Sequence, residues 1–348
     1  VLFDAETRAI IGEYTRIIGG LPPGGNHWKK TIRFGPDGLL YVAVGSSCNV
    51  CIEEDSRRGT ILRYTADGEF VDIFATGLRN SGGFDWSPLT GALYATDNGR
   101  DLLGDELPPC ELNEVVAGGF YGWPFVNGQN VPDPDLGEVQ SAVNETAIPP
   151  VHEFKPHNAP LGIVFFRQDW HPPDYRGAAA VALHGSWNRR EKDGYKVVSL
   201  HFASDGSIEE RDFLTGFLVD GEVVGRPADV AEGSDGSVYV SDDLGGAVYR
   251  IKFDTDDQAF SVPTPRISQG YDPTEIGPNE REDALAMGEA ILVAEGCMVC
   301  HARVDEAAAD RVVLSNLRTN YTVEELTEYL AAPQQPMPPY EADRAEQR

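Results

Sequence analysis

The sequence predicts an all-β propeller followed by a small all-α domain, and three observations carry that expectation. A unit made of a β run, a Gly-containing turn and a second β run recurs along the first two thirds of the chain. Glycine and proline are abundant, 37 and 24 of 348 residues, as a fold of many short strands and turns requires. Beyond Asp254 the composition turns polar and Pro-rich and then takes up helical periodicity, so the length is divided between two domains.

The repeated unit is clearest in three places. Ile32-Arg-Phe-Gly-Pro-Asp-Gly-Leu-Leu-Tyr-Val-Ala-Val-Gly45 is the first, Phe84 to Asp97 the second and Ala228 to Asp242 the third, with a looser copy from Ile163 to Gly185. Asp-Gly and Thr-Gly pairs at Gly38, Gly91 and Gly236 supply the positive φ that tight hairpins need. Each unit reads as the inner hairpin of a propeller blade. A β-sandwich would also use alternating strands, but it would not explain one hairpin repeated in this way.

The propeller is expected over residues 1–253, closing on Val248-Tyr-Arg-Ile-Lys-Phe253, with a linker over 254–279 and the second domain over 280–348. Helical periodicity from Glu280 leads into Cys297-Met-Val-Cys300-His301, and a second helix is predicted over 322–331, capped by Thr322 with Glu325 three residues on. The pattern C-x-x-C-H is the attachment site of a c-type haem: two thiols bind the macrocycle covalently and the adjacent imidazole ligates iron. Met337, one of only three methionines, stands between prolines and is the candidate second axial ligand. A structural zinc site would need two more nearby ligands, and a thioredoxin-like pair a βαβ context; neither is present in the sequence.

Charge narrows the partners. Asp and Glu number 56 against 28 Lys and Arg, a net −28, which repels a phosphate backbone and argues against nucleic acid. Such an excess fits either a salt-adapted or an exported acidic protein. No apolar run approaches the length of a membrane span. Haem c is attached outside the cytoplasm, so a periplasmic or secreted location is expected. Of five cysteines, Cys297 and Cys300 are assigned to haem, Cys48 and Cys51 are expected to close a small disulfide ring, and Cys110 is left over. A metal half-site is the other reading of Cys48 and Cys51, though no matching second half exists. No signal peptide opens the chain, Val1 begins abruptly and Arg348 stops where a last cytochrome helix should start, so the sequence reads as a fragment cut at both ends.

Chemistry-bearing residues cluster just before or after the inner hairpins. His27 leaves a Gly-rich loop, Arg79-Asn80 precedes the second hairpin, and Asp97-Asn-Gly-Arg-Asp101 follows it. His157, His184-Gly-Ser-Trp-Asn-Arg189 and Arg226 take comparable places further on. Inner-strand loops of a propeller meet at one mouth, so an imidazole suited to accepting a proton would lie beside guanidinium donors suited to an anion. A lone histidine would be read as structural; the company of Arg79 argues otherwise.

At these residues the chain resembles a known family. Ser46-Ser-Cys-Asn-Val-Cys51, Gly77-Leu-Arg-Asn80, Asp105-Glu-Leu-Pro-Pro109, Tyr121-Gly-Trp-Pro124 and the run from His184 to Arg189 look like the glucose/sorbosone dehydrogenases, over about residues 20–253. The resemblance implies a six-bladed propeller, here lacking its opening blade, with pyrroloquinoline quinone (PQQ) and Ca²⁺ at the mouth. It implies that His27 is the base, that Arg79 polarises the quinone, and that Asn80, His157, His184, Arg189 and Arg226 contact the cofactor. Backbone carbonyls of Gly99 and Arg100 are implied as Ca²⁺ ligands, although the family often has proline at the second position. Oxidation of a sugar or aldehyde, with electrons passed through haem c to a downstream acceptor, is the activity implied. A Ca²⁺-dependent lactonase and a non-catalytic carbohydrate-binding propeller are the alternatives.

Overall fold

The computed structural model describes residues 2–4, 9–12, 14–139, 145–168, 171–253, 301–302 and 312–313. By internal contacts the chain divides into two compact units, Val1–Ile267 and Ser268–Arg348. The first unit opens with a short antiparallel pair, β1 (Leu2–Asp4) and β2 (Ala9–Ile11). Four sheets then follow one another in sequence.

Sheet one holds β3 (Lys30–Phe34), β4 (Leu40–Val44), β5 (Thr60–Tyr64) and β6 (Phe70–Thr76), paired antiparallel in that order. Sheet two begins with β7 (Phe84–Trp86), β8 (Leu93–Asp97) and β9 (Cys110–Val115). Its chain then detours: β10 (Gly119–Phe120) adds a parallel fifth strand to sheet one, and β11 (Val126–Asn127) pairs with β12 (Val131–Pro132). It returns as β13 (His152–Phe154) on the outer edge of sheet two. Sheet three is β14 (Pro160–Phe165), β15 (Ala179–Leu183), β16 (Lys196–Phe202) and β17 (Ile208–Leu214). A small hairpin, β18 (Leu218–Val219) with β19 (Glu222–Val223), precedes sheet four, β20 (Pro227–Glu232), β21 (Val238–Asp242) and β22 (Ala247–Ile251).

All four expected inner hairpins are present as β3–β4, β7–β8, β14–β15 and β20–β21. The looser copy has a longer connection, which carries a 3-10 turn, Pro173–Tyr175. One five-residue turn is used repeatedly. At 35–39, 65–69, 203–207 and 233–237 the first residue's N–H bonds the fifth residue's carbonyl, and the fourth is the glycine of an Asp-Gly pair. Gly38 and Gly236 have φ of 78° and 73°, the left-handed backbone for which glycine is needed.

Sheets stack through alternate residues, as a period of two demands. Ile163, Phe165, Val181, Leu183, Val198 and Leu200 of sheet three face Tyr94, Leu112 and Phe154 of sheet two. The intervening Val164, Ala180, Ala182 and Val197 face Val230, Val238 and Val240 of sheet four. Tyr41, Ala43 and Ile61 meet Phe84, Leu93 and Ala95 between sheets one and two. Because both faces of sheet three are covered, Ala179–Leu183 is apolar throughout and fully buried. Asp85 of β7 ties the inner strands together: it accepts from Phe165 N–H and from Arg167 (both 2.8 Å) and pairs with Arg33 of β3 (2.8 Å).

First strands of successive sheets are neighbours, β3 beside β7, β7 beside β14 and β14 beside β20. All four line one cavity of about 210 Å³, through Lys30, Gly83, Phe84, Ile163 and Asp229 among others. This is the blade-around-channel arrangement expected of a propeller.

In the second unit the described residues are the parallel pair β23 (His301–Ala302) and β24 (Val312–Val313). Cys297, Cys300, Met337, the linker over 254–279 and the two expected helices lie outside the described residues. No helix among the described residues is long and apolar enough to cross a membrane.

Candidate active site

The segments that enter β3, β7, β14 and β20 lie beside those that leave β4, β8, β15 and β21, at the end of each sheet opposite the inner hairpin turn. Backbone bonds join each pair, among them His27 N–H to Ser46 O (3.2 Å), Asn98 N–H to Asn80 O (3.3 Å), His184 N–H to Ala159 O (3.0 Å) and Asp243 N–H to Arg226 O (3.2 Å). The repeat thus gathers His27, Asn80, His157, His184 and Arg226 at one mouth.

His27 Nδ1 is 2.8 Å from Ser46 Oγ. The strand-leaving residue beside it must be glycine, since a Cβ on Gly45 would lie 2.4 Å from His27 Cβ and 3.0 Å from Asn80 Oδ1. Burial, then the positive charges of Arg79 and Arg58, push the imidazole pKa down to about 3, against the smaller upward pull of Asp101 and the Ser46 backbone. The ring is therefore neutral at physiological pH.

Arg79 is 3% exposed, and all five of its N–H bonds are taken. Nε donates to Asn49 O (2.9 Å), Nη1 to Asn98 O (3.2 Å) and Gly99 O (2.9 Å), and Nη2 to Asn49 Oδ1 (2.9 Å) and Asp101 Oδ2 (3.3 Å). The open fork expected from sequence is closed: donation to a ligand oxygen requires giving up one of the two longest contacts. Arg79 and Asn80 backbone N–H groups both donate to buried Asp97, at 2.8 and 2.6 Å.

Asp97 faces Glu111 across β8 and β9, and Glu111 in turn faces Glu153 across β9 and β13. Burial first, then the neighbouring Asp97 and Glu153 charges, raise the Glu111 pKa to about 8; burial raises Asp97 to about 7. Asp97, accepting two backbone N–H bonds, is the member suited to ionise, and Glu111 the one suited to hold a proton. Both line a water-sized cavity of about 10 Å³ with Arg79, Asn98 and Trp123. This pair was not foreseen, because only strand register brings the two carboxyls together.

Most of the remaining expected residues are engaged by protein partners, although Arg100 Nε and Arg226 Nε are buried without one among the described residues. The Arg100 guanidinium is paired with Asp133 (2.8 Å) and Asp135 (2.9 Å). His157, held at φ 65°, is bonded to Gly104 O (2.9 Å) with Asp101 at 3.7 Å. Burial lowers the His157 pKa, but Asp101 and the Gly104 carbonyl outweigh it and the net displacement is upward. Arg189 donates to Asp105 O and pairs with Glu106 (3.6 Å), and His184 sits 3.0 Å from Asp243. Arg226 lies over the Tyr195 ring (5.9 Å), and its Nε is buried without a partner among the described residues. Asn188 Nδ2 and Asn98 Oδ1 are likewise unpartnered. The Cys48–Cys51 disulfide forms and Cys110 is left free, both as expected; Cys110 is buried.

A family model described as Glucose / Sorbosone dehydrogenase matches residues 6–250. An uncharacterized protein of Borreliella burgdorferi is 37% identical over 220 residues, covering 62% of this chain and 57% of that protein. An uncharacterized Synechocystis protein is 25% identical over 264 residues, covering 68% and 58%. The chain therefore spans less than two thirds of either relative. Among solved structures, a calcium structure of Trichoderma reesei Carbohydrate-Active Enzymes Family AA12 aligns with TM-score 0.61 at 20% identity, over 71% of this chain and 73% of that one. The holo form of the pyranose dehydrogenase PQQ domain from Coprinopsis cinerea aligns with TM-score 0.59 at 22% identity, over 72% and 76%. At such identities the likeness speaks to the fold. With the family model covering most of the chain and the mouth residues gathered as described, the chain belongs to the glucose/sorbosone dehydrogenase family.

Proposed function

We propose that this chain carries out PQQ- and Ca²⁺-dependent oxidation of a sugar or aldehyde, and that electrons leave through haem c attached at Cys297 and Cys300 with His301 and Met337 as iron ligands. Residues 1–253 form the dehydrogenase, a six-bladed propeller; 254–279 form the linker and 280–348 the cytochrome. An exported location follows from the haem, and the final partner is an external electron acceptor.

The observation that carries the reading is the His27 imidazole, held by Ser46 and packed over Gly45 beside Asn80, next to the buried guanidinium of Arg79. The donor set fits the cofactor. Arg226 Nε and Asn188 Nδ2 are buried donors awaiting acceptors, as the carboxylates of a polyanion would supply. Asn98 Oδ1 is a buried acceptor next to the Gly99 carbonyl, the oxygen chemistry a hard cation takes. When bound, PQQ with its Ca²⁺ supplies an electrophilic carbonyl that accepts a hydride.

His27 would take the proton from the substrate hydroxyl, and Arg79 would place positive charge where negative charge develops. Arg226, Asn188, His184 and Arg189 would orient the cofactor, with Asn80 and His157 lining its edge. The test is haem reduction in full-length protein loaded with PQQ and Ca²⁺. Substrate-dependent reduction with an aldose, sorbosone or a simple aldehyde is expected; none with any of them, or lactone hydrolysis without PQQ, rejects the reading.

A further inference from the structure

We infer that the disulfide-closed segment 46–51 is one positioning device for both the base and the arginine: Ser46 fixes the tautomer of His27, and Asn49, held inside the ring, fixes the plane of Arg79. The inference deepens the proposed function, which supplies the meaning of the word base, but its geometry stands without it.

Hydrogen-bond accounting assigns the tautomer. A serine hydroxyl has one proton, and Ser46 Oγ donates it to Cys48 O at 2.8 Å. Toward His27 Nδ1, also at 2.8 Å, Ser46 Oγ is therefore an acceptor, so Nδ1 carries the ring proton. In a neutral imidazole the lone pair is then on Nε2, the nitrogen free to accept a proton from a substrate. The direction of the chain depends on where Cys48 O sits. That carbonyl belongs to the ring closed by Cys48–Cys51, and Glu53 anchors the residue before it, accepting from Ser47 N–H (2.5 Å) and Ser47 Oγ–H (2.7 Å).

Asn49 lies between the linked cysteines and supplies two of the five acceptors of Arg79, its backbone oxygen for Nε and its Oδ1 for Nη2. The same side chain receives Asp101 N–H on Oδ1 (2.8 Å) and donates from Nδ2 to Asp101 O (3.2 Å), which locks it in one orientation. A segment this short, only partly buried and without regular structure, would sample many conformations if open. The cross-link removes that freedom.

The test reads the imidazole directly. Long-range ¹H–¹⁵N NMR of the histidine-labelled apo-protein is expected to show His27 as the Nδ1–H tautomer. Ser46→Ala is expected to release it to exchange between tautomers and to lower kcat about 10- to 100-fold with little change in sugar KM, a partial loss of general-base catalysis. Ser46→Thr, which keeps the hydroxyl, should restore both signals. The Cys48→Ser/Cys51→Ser double variant should lose the tautomer preference and also broaden the Arg79 Nε resonance. A wild-type His27 protonated on Nε2, or a Ser46→Ala protein that keeps the Nδ1–H form, overturns the inference. Wild-type protein that shows the Nδ1–H form but is inactive when loaded with PQQ and Ca²⁺ overturns only the proposed function.

Discussion

Replacing Glu111 with glutamine should make the protein less sensitive to rising pH between about pH 5 and pH 8. Glu111 has a folded-state pKa of about 8 against an ordinary value of 4.5, raised by burial and by the carboxylates facing it on both neighbouring strands. Between those values the folded protein holds a proton that the unfolded chain has released. Stability therefore falls by about 1.4 kcal/mol per pH unit as pH rises through this window, and levels off above pH 8. The whole excursion is at most about 5 kcal/mol. Asp97, raised to about 7, acts in the same direction up to that pH. His27, lowered to about 3, acts oppositely, losing stability as pH falls below 6.5. Glutamine copies the protonated acid: it can accept from Gly128 N–H, and turning over the Asn113 amide lets the unpartnered Asn113 Oδ1 receive the new NH₂. Between pH 6 and pH 8 the variant should lose about 2 kcal/mol less than the parent, roughly 4 °C or more in Tm by calorimetry of the apo-protein. Parallel Tm profiles for the two proteins would refute a proton resident on Glu111.

Arg79→Lys keeps the charge but reduces five donors to three, so it should cost about 2–3 kcal/mol in chemical denaturation and weaken PQQ binding measured by fluorescence. Arg100→Ala leaves the carboxylate of Asp133, whose side chain is 0% exposed, without its cation; a loss of about 3–5 kcal/mol by urea unfolding is expected. Phe165→Ala opens the core between sheets two and three and should cost about 3–5 kcal/mol in the same assay.

Much of the fold was legible because its signals are local. Asp-Gly beside alternating apolar residues marks a hairpin wherever it occurs, and Asp67-Gly68 and Asp205-Gly206 carried the same signal for the outer hairpins β5–β6 and β16–β17. The detour through β10, β11 and β12 was not legible, since two-residue strands defined by distant partners leave no periodicity. At the site, His27 and Arg79 stood out by residue type and by position before successive hairpins. What those letters could not convey is partnership. The mouth reads as cationic in sequence, yet Asp101, Asp133, Asp243 and Glu106 each meet one of its basic side chains, and the Arg100 guanidinium is engaged by Asp133 and Asp135. Nor could Asn49 be singled out inside the Cys48–Cys51 ring, because its bonds to Arg79 depend on a loop shape that the spacing alone does not define.

Titration of the apo-protein with PQQ, with and without Ca²⁺, in parent and His27→Gln forms shows whether this mouth holds the quinone and whether His27 is its base. One Ca²⁺-dependent site of similar affinity is expected in both, with sugar- or aldehyde-driven reduction of the bound quinone in the parent and about 10²-fold or greater slowing in His27→Gln. Absence of PQQ binding in the parent, or an undiminished rate in His27→Gln, would contradict it.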